Sequence, residues 1–374
     1  MKIISWQSVL TDHQSHTMRA LQKIMGTPLV IISGVRELDE RKLQGWKSAD
    51  TDDLDVRYLP QSGWWKKGLN ILSQYPNAIH MFNSLWGDKR FFPLLIAAQM
   101  RGIRTVLMTE PYAEVGVGYL CESNAWVARC KAKLRPMLYR CAGLLVAKKF
   151  MAVFAISHKA EEQFINIGVP RDRVFPFGYY IPHVCISQTV EKSHNTRIRL
   201  IYVGSLIQRK GIHTLVKAMK LCKKNAVDII LDVYGPGDSS IFEKSNTIEY
   251  KGVIPFGEAQ EVIAGYDVLV LPSLYDGWGV VVNEALLQGV PVIVSDQVGA
   301  KTLIEESGAG AVFPVDQAEA LVSLLSELAG QRTVLDQWRK HAIDYRKMIE
   351  PEIAVKYLYD NLTNIYEGKP RHGS

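Results

Sequence analysis

The sequence predicts an α/β protein of two doubly wound domains that face each other across a cleft. Three observations lead there. Short apolar runs alternate with helix-period stretches along nearly the whole chain, the pattern of parallel strands joined by helical crossovers. The 374 residues are too many for one comfortable core and suit two domains of roughly 150 to 200 residues each. Between the two sets of strands, 181–195 (IPHVCISQTVEKSHN) loses apolar periodicity and fills with polar and chain-breaking residues.

Taken in order, the apolar runs at 2–6, 29–33, 56–59, 78–82, 105–109 and 152–156 are expected as strands of a first domain, 1–180. After the linker 181–195, runs at 199–204, 228–234, 267–271, 291–295 and 311–313 are expected as strands of a second domain, 196–346. Helical patterns continue beyond Leu335, and a C-terminal helix at about 347–367 is expected to pack back on the first domain. The last residues, 368–374, read as a frayed end.

Composition narrows the function classes. Hydrophobic residues at 47% and charged residues at 22% describe an ordinary globular chain. No apolar run reaches the roughly 18 to 20 residues of a membrane helix, and the opening MKIISWQSVLTD is too short in apolar length for a signal peptide, so a cytoplasmic chain is expected. Five cysteines, Cys121, Cys130, Cys141, Cys185 and Cys222, form no C-x-x-C pair and read as reduced thiols. The formal charge of +6 is concentrated. Arg129, Lys131, Lys133, Arg135, Arg140, Lys148 and Lys149 crowd into 128–149 with no acid among them, interleaved with Leu134, Met137, Leu138, Tyr139, Leu144, Leu145 and Val146. Two readings stay open: peripheral contact with an anionic membrane at its inner face, or a solvated helix whose apolar side packs on the sheet. No nucleic-acid partner is expected, since no RNA-binding or helix-turn-helix signature accompanies the charge.

The chemistry is written in two segments. In 267–294 (DVLVLPSLYDGWGVVVNEALLQGVPVIV) a buried strand ends at Pro272, a loop carries Gly277 and Gly279, and a helix runs from about Val280 to Gln288. Amide N–H groups at such a helix start attract phosphate oxygens, and glycine lets the anion approach the backbone. Glu284 lies about one turn into that helix, where a carboxylate can accept from both hydroxyls of a ribose. Asp276 flanks the same turn. In 200–218 (LIYVGSLIQRKGIHTLVKA) a strand ends at Gly204, and Arg209 and Lys210 precede a helix that begins near Gly211. Paired cations just outside the carboxyl end of a parallel strand are placed to neutralise a diphosphate.

Three further features belong to the first half. His13, Gln14, Ser15 and His16 (in LTDHQSHTMRA) form a loop before a helix that either faces the cleft as hydrogen-bond donors or merely caps the helix. Glu110 follows the strand ending at Thr109 and is a candidate sugar contact or base. Asp53-Leu54-Asp55 matches a D-x-D metal motif, but inside the acidic run DTDDLD it reads as a solvated loop.

Over about the last 180 residues these motifs resemble the retaining GT-B glycosyltransferases of family 4 (glycosyltransferase group 1). That family shows V-G-x-L followed by R-K-G, and later P-S-x-x-E-G-[FW]-G with a second glutamate after seven intervening residues. Here stand Gly204, Arg209, Lys210 and Gly211, then Pro272, Ser273, Asp276, Gly277, Trp278, Gly279 and Glu284. The first acid is aspartate, shorter by one methylene, and the family's glycine pair after the first strand is absent.

The resemblance implies a GT-B fold of two Rossmann-like domains and a hexosyltransferase-type, retaining sugar transfer from a nucleotide-sugar, a UDP-sugar favoured. The acceptor would be a glycan or a lipid-linked sugar, in cell-surface polysaccharide or glycolipid synthesis. It implies Arg209 and Lys210 on the diphosphate, Glu284 on the ribose, Asp276 on the transferred sugar, and the backbone at Gly279 and Val280 on a phosphate. Main-chain groups near Ile254 would read the base, with Gly235 lining the same cleft, and Glu110 sits about where relatives keep a histidine near the sugar. No metal or other cofactor is expected, because cations and amides stabilise the departing diphosphate. A nucleotide-sugar epimerase of the same fold and a non-catalytic sugar-nucleotide binder remain alternatives. A dinucleotide oxidoreductase is disfavoured, since neither half carries G-x-G-x-x-G after a strand.

Overall fold

The computed structural model describes residues 1–37, 49–114, 125–186, 197–242 and 245–369. The strands are β1 (Ile3–Val9), β2 (Val30–Val35), β3 (Asp55–Tyr58), β4 (Ile79–Phe82), β5 (Thr105–Thr109), β6 (Ala152–Ile156) and β7 (Val174–Phe177), followed by β8 (Ile198–Val203), β9 (Ile229–Tyr234), β10 (Ile248–Tyr250), β11 (Val268–Leu271), β12 (Val292–Ser295) and β13 (Gly310–Phe313). They form two sheets, ordered β3-β2-β1-β4-β5-β6-β7 and β10-β9-β8-β11-β12-β13, and every pairing is parallel. Strand order reverses between β1 and β4 in the first sheet and between β8 and β11 in the second. At these switch points the connecting helices leave to opposite faces, and a crevice opens beyond the carboxyl ends.

Central strands buried on both faces need continuous apolar runs. Val268–Leu271 and Ala152–Ile156 are such runs, buried at every position. On one face of the first sheet Trp6 is fully buried, stacked on Phe82 with ring centroids 5.4 Å apart. Its indole N–H donates to His80 Nδ1 at 3.0 Å, while His80 Nε2 lies 3.0 Å from the Tyr75 carbonyl. Burial pushes the His80 imidazole down to about 4, so the neutral ring accepts at Nδ1 and donates at Nε2, and both buried partners are satisfied.

Two strands escape the periodicity pattern. β7 (VFPF) carries Pro176, which has no N–H for a ladder, and it is tolerated because β7 is the edge of its sheet. β10 is a three-residue edge strand, too short and polar to register.

Of the segment between the sheets, 187–195 lies outside the described residues. Its start is held to the second sheet's unit: Gln260 Nε2 donates to the Pro182 carbonyl at 2.9 Å, its Oε1 accepts from the Val184 N–H at 3.0 Å, and Gln288 Nε2 donates to the Val184 carbonyl at 2.8 Å. At the other end of the chain, helix Pro351–Tyr366 returns to pack on helix Asp12–Met25, with Lys23 3.6 Å from Glu352 and the Arg104 guanidinium 4.4 Å above the Tyr366 ring.

The loops after β8 and β11 approach each other through glycine. Gly211 has φ +69° and ends the turn Gln208–Lys210, and a Cβ there would overlap the Pro272 carbonyl. Gly211→Ala should therefore destabilise the fold by about 2 kcal/mol or more, through left-handed strain plus the backbone collision, read as a lowered urea midpoint. Unchanged stability would show that the two loops are not in contact.

Candidate functional site

The carboxyl ends of both sheets open on one cavity of about 590 Å³. Its cationic wall comes from the turn Gln208–Lys210 after β8. Arg209 is buried and donates through Nη1 to the Tyr275 carbonyl at 3.0 Å, while its own carbonyl accepts from the Leu274 N–H at 2.8 Å. Lys210 Nζ stands 2.5 Å from Asp276 Oδ2. Burial lowers the Lys210 ammonium below its usual pKa, and the Asp276 charge works against that shift. An anion entering the cavity would meet a cation already removed from water, where its attraction is strongest.

The facing wall is the loop after β11 and helix Val281–Leu287. Gly279, at φ +95°, lets the chain turn into the helix, and the first-turn amides of Gly279, Val280 and Val281 precede any intrahelical acceptor. The loop is fixed from below. Asp276 N–H donates to the Gln297 carbonyl, Gly299 N–H to the Asp276 carbonyl, and Ala300 N–H to the Trp278 carbonyl. Glu284 projects into the same cavity, and burial, with a further contribution from the Asp12 charge, pushes its carboxyl up to about 7.

The first domain supplies Asp12, His13, His16 and Glu110. His16 lies 3.5 Å from Asp12, and this contact holds the Asp12 carboxyl below its usual pKa. His13 Nε2 lies 3.0 Å from Thr11 Oγ1, and its ring meets Tyr179 edge-on with centroids 4.4 Å apart. Glu110 reaches across the cleft: its carboxylate lies over Gly277, where a Cβ would overlap it. Beside it the Tyr275 hydroxyl donates to the Pro111 carbonyl at 2.7 Å, a direct tie between the domains.

Of the residues singled out from the sequence, Gly204, Arg209, Lys210, Gly235, Ile254, Asp276, Gly277, Gly279, Val280, Glu284, Glu110, His13 and His16 all line this one cavity. Gln14 and Ser15 do not. Gln14 Oε1 accepts from the Thr11 N–H at 3.2 Å in a capping box, and Ser15 Oγ donates to the Asp12 carbonyl at 2.7 Å. Asp53 pairs with Arg19 at 3.0 Å and Asp55 pairs with Arg57, both on the exposed surface. Residues to which sequence reasoning gave no role are Asp12, Tyr179 and Trp278, the last named only as part of the motif. The Trp278 ring packs over Gly178, and its N–H donates to Asn283 Oδ1 at 2.8 Å, while Asn283 donates to the Tyr179 carbonyl at 3.0 Å. This aromatic braces the junction between the domains.

Two parallel-sheet Rossmann-like domains with a cleft between their carboxyl ends define a GT-B architecture. Residues 187–345 match the family described as Glycosyl transferases group 1, so the chain resembles that family in sequence over its second half and GT-B glycosyltransferases in fold throughout. A putative teichuronic acid biosynthesis glycosyltransferase of Bacillus subtilis, TuaC, is 28% identical over 158 residues, 40% of each chain. The amylovoran biosynthesis glycosyltransferase AmsK of Erwinia amylovora is 23% identical over 227 residues, 57% of this chain and 55% of that one. The matches thus span about half or less of these curated relatives. The fold resembles that of Anabaena Alr3699/HepE, solved in complex with UDP and glucose, with a TM-score of 0.69 at 13% identity over 97% of this chain and 99% of that one.

A carboxyl raised by burial has a defined pH signature. Between about 4.5 and about 7 the folded chain keeps the Glu284 proton that the unfolded chain has released, so this group lowers stability as pH rises through that window, and above it the cost stays constant at its full value. Glu284→Gln should raise the unfolding free energy at pH 8 by up to roughly 3 kcal/mol, with the gain vanishing near pH 4. A pH-independent effect in urea titrations would show that the carboxylate is not desolvated.

Proposed function

We propose that the protein is a hexosyltransferase-type, retaining glycosyltransferase that moves a sugar from a nucleotide-sugar, a UDP-sugar favoured, to a glycan or lipid-linked acceptor. Cell-surface polysaccharide or glycolipid synthesis is the setting this reading favours, in keeping with the teichuronic acid and amylovoran assignments of the relatives. The observation that carries it is the convergence of Lys210, Asp276 and Glu284 in one cavity with the amides of Gly279 and Val280, all from the segments that follow two adjacent central strands of the second domain, β8 and β11.

In this reading the diphosphate lies between Arg209, Lys210 and the amides, the ribose hydroxyls donate to Glu284, and the base rests beside Ile254 and Gly235. Asp276 holds the sugar. As the anomeric bond breaks, the sugar gains oxocarbenium character and the diphosphate gains negative charge. The desolvated cations stabilise that charge more in the transition state than in the ground state, and each such electrostatic contribution is worth several kcal/mol. Same-face attack follows when the leaving phosphate takes the acceptor proton, so no enzyme nucleophile is required. Glu110, which reaches from the first domain to the loop at Gly277, would contact the sugar or act as a base. The reading asks for no metal, since Arg209 and Lys210 supply the positive charge.

Two experiments test it. Thermal stabilisation by UDP-, GDP- and ADP-sugars should single out one donor. Lys210→Ala should weaken that nucleotide by roughly tenfold or more, the worth of one charge-assisted contact to phosphate, with circular dichroism unchanged. Transfer to acceptor should persist in EDTA. Normal turnover of Lys210→Ala, or nucleotide release with no glycosylated product, would overturn the reading.

A further inference from the structure

Helix Ala125–Val146 has two faces that both carry apolar side chains. One is consumed by the fold: Ala132, Ala142 and Val146 are buried against the first domain, and the Tyr139 ring lies 4.3 Å from that of Tyr112. The other points to water. Leu134 is 52% exposed, Met137 57%, Leu138 50%, Leu144 88% and Leu145 58%, and Cys141 between them is exposed too. At 3.6 residues per turn these six positions fall within about 120° of the helix circumference, a continuous stripe. Single exposed leucines need no explanation, but a periodic stripe of them does. The rim of the stripe is basic. Arg129, Lys133 and Arg140 flank it, Lys148 and Lys149 follow in the turn Ala147–Lys149, and no acid occurs from 128 to 149.

We infer that this outer face docks on an anionic lipid surface, with the leucine stripe sunk at the headgroup boundary and the cations on the lipid phosphates. Charge decides between the occupants. A second copy laid on the same face would bring two sets of cations together around an apolar seam, whereas a negatively charged leaflet complements both features at once. No helix among the described residues is long and apolar enough to cross a membrane, so the attachment is peripheral.

The same helix is tied to the cleft. Arg135 Nη1 donates to the Ala113 carbonyl at 3.0 Å, and the loop Glu110, Pro111, Tyr112, Ala113 carries both the carboxylate over Gly277 and the carbonyl that holds Tyr275. Docking would therefore set the cavity at a fixed position beside the bilayer, suited to an acceptor that is itself anchored there. That consequence rests on the transferase reading; vesicle binding does not, so the two fail separately.

Sedimentation with vesicles tests the surface directly. The chain should pellet with phosphatidylcholine containing about a third phosphatidylglycerol and remain in solution with pure phosphatidylcholine, with salt weakening the association. A variant carrying Leu138→Gln, Leu144→Gln and Leu145→Gln should lose at least about tenfold in partitioning. A second, carrying Arg129→Glu, Lys133→Glu and Arg140→Glu, should lose about a hundredfold or more. All six side chains lie outside the core, so both variants should keep the parent melting temperature and its nucleotide binding. The inference is overturned if the parent chain ignores anionic vesicles, if it binds neutral ones equally, or if either variant partitions like the parent. It is also overturned if the parent is a dimer in solution that Leu144→Gln converts to a monomer, which would assign the face to a second copy.

Discussion

The site depends on charge held out of water at a place where the chain cannot fully compensate it. Lys210 is desolvated and leans on Asp276, Glu284 is desolvated with no ion pair among the described residues to offset the cost, and Asp12 across the cavity adds a like charge to that carboxylate. Such an arrangement works against the stability of the empty protein. It persists because the surrounding backbone over-determines it: Arg209 is locked to Tyr275 and Leu274, and the loop bearing Asp276 is stitched to Gln297, Gly299 and Ala300. The cavity is thus held by its backbone where it is electrostatically unfavourable, the condition for pre-organised binding of a charged ligand.

Much of this was legible because the chemistry of the second domain is local in sequence. A strand end, a cationic turn and a glycine within a few residues, or a strand end, two glycines and a carboxylate one helical turn later, fix their own relative geometry. The resemblance at those positions accordingly extends to residues that converge in space. The first domain is different. Asp12 reaches the cavity because β1 and the helix that follows it happen to aim at Glu284 from a sheet more than 250 residues away in the chain. No periodicity reports such an approach. For Gln14 and Ser15 the capping reading is the one the geometry matches: Thr11 and Gln14 form a capping box, so these polar residues are spent on the first turn of the helix.

Strands were lost where tertiary context overrides composition. Pro176 argues against a strand anywhere except at an edge, and nothing before the topology is known marks β7 as one. Trp278 is the converse case, a conspicuous aromatic in the most informative loop whose partners are Gly178 and Asn283. It belongs to the brace between the domains, together with the bond from Tyr275 to Pro111. The loops that line the cavity and the contacts that hold the domains in register are therefore the same segments.

Protonation links these features. With the cavity empty, Glu284 titrates near neutrality because burial and the Asp12 charge both disfavour its anion, while His16 keeps Asp12 ionised. Two ribose hydroxyls donating to Glu284 would favour the anion, and a pyrophosphate at Lys210 would favour the ammonium that burial disfavours. Such a ligand would release the proton of Glu284 as it enters and offset the burial cost of the Lys210 ammonium. Each residue is costly to ionise alone, and the ligand that carries both phosphate and vicinal hydroxyls is the one that relieves both costs together. On the proposed function, an intact donor would be preferred over inorganic pyrophosphate or a free nucleoside because it alone relieves both costs.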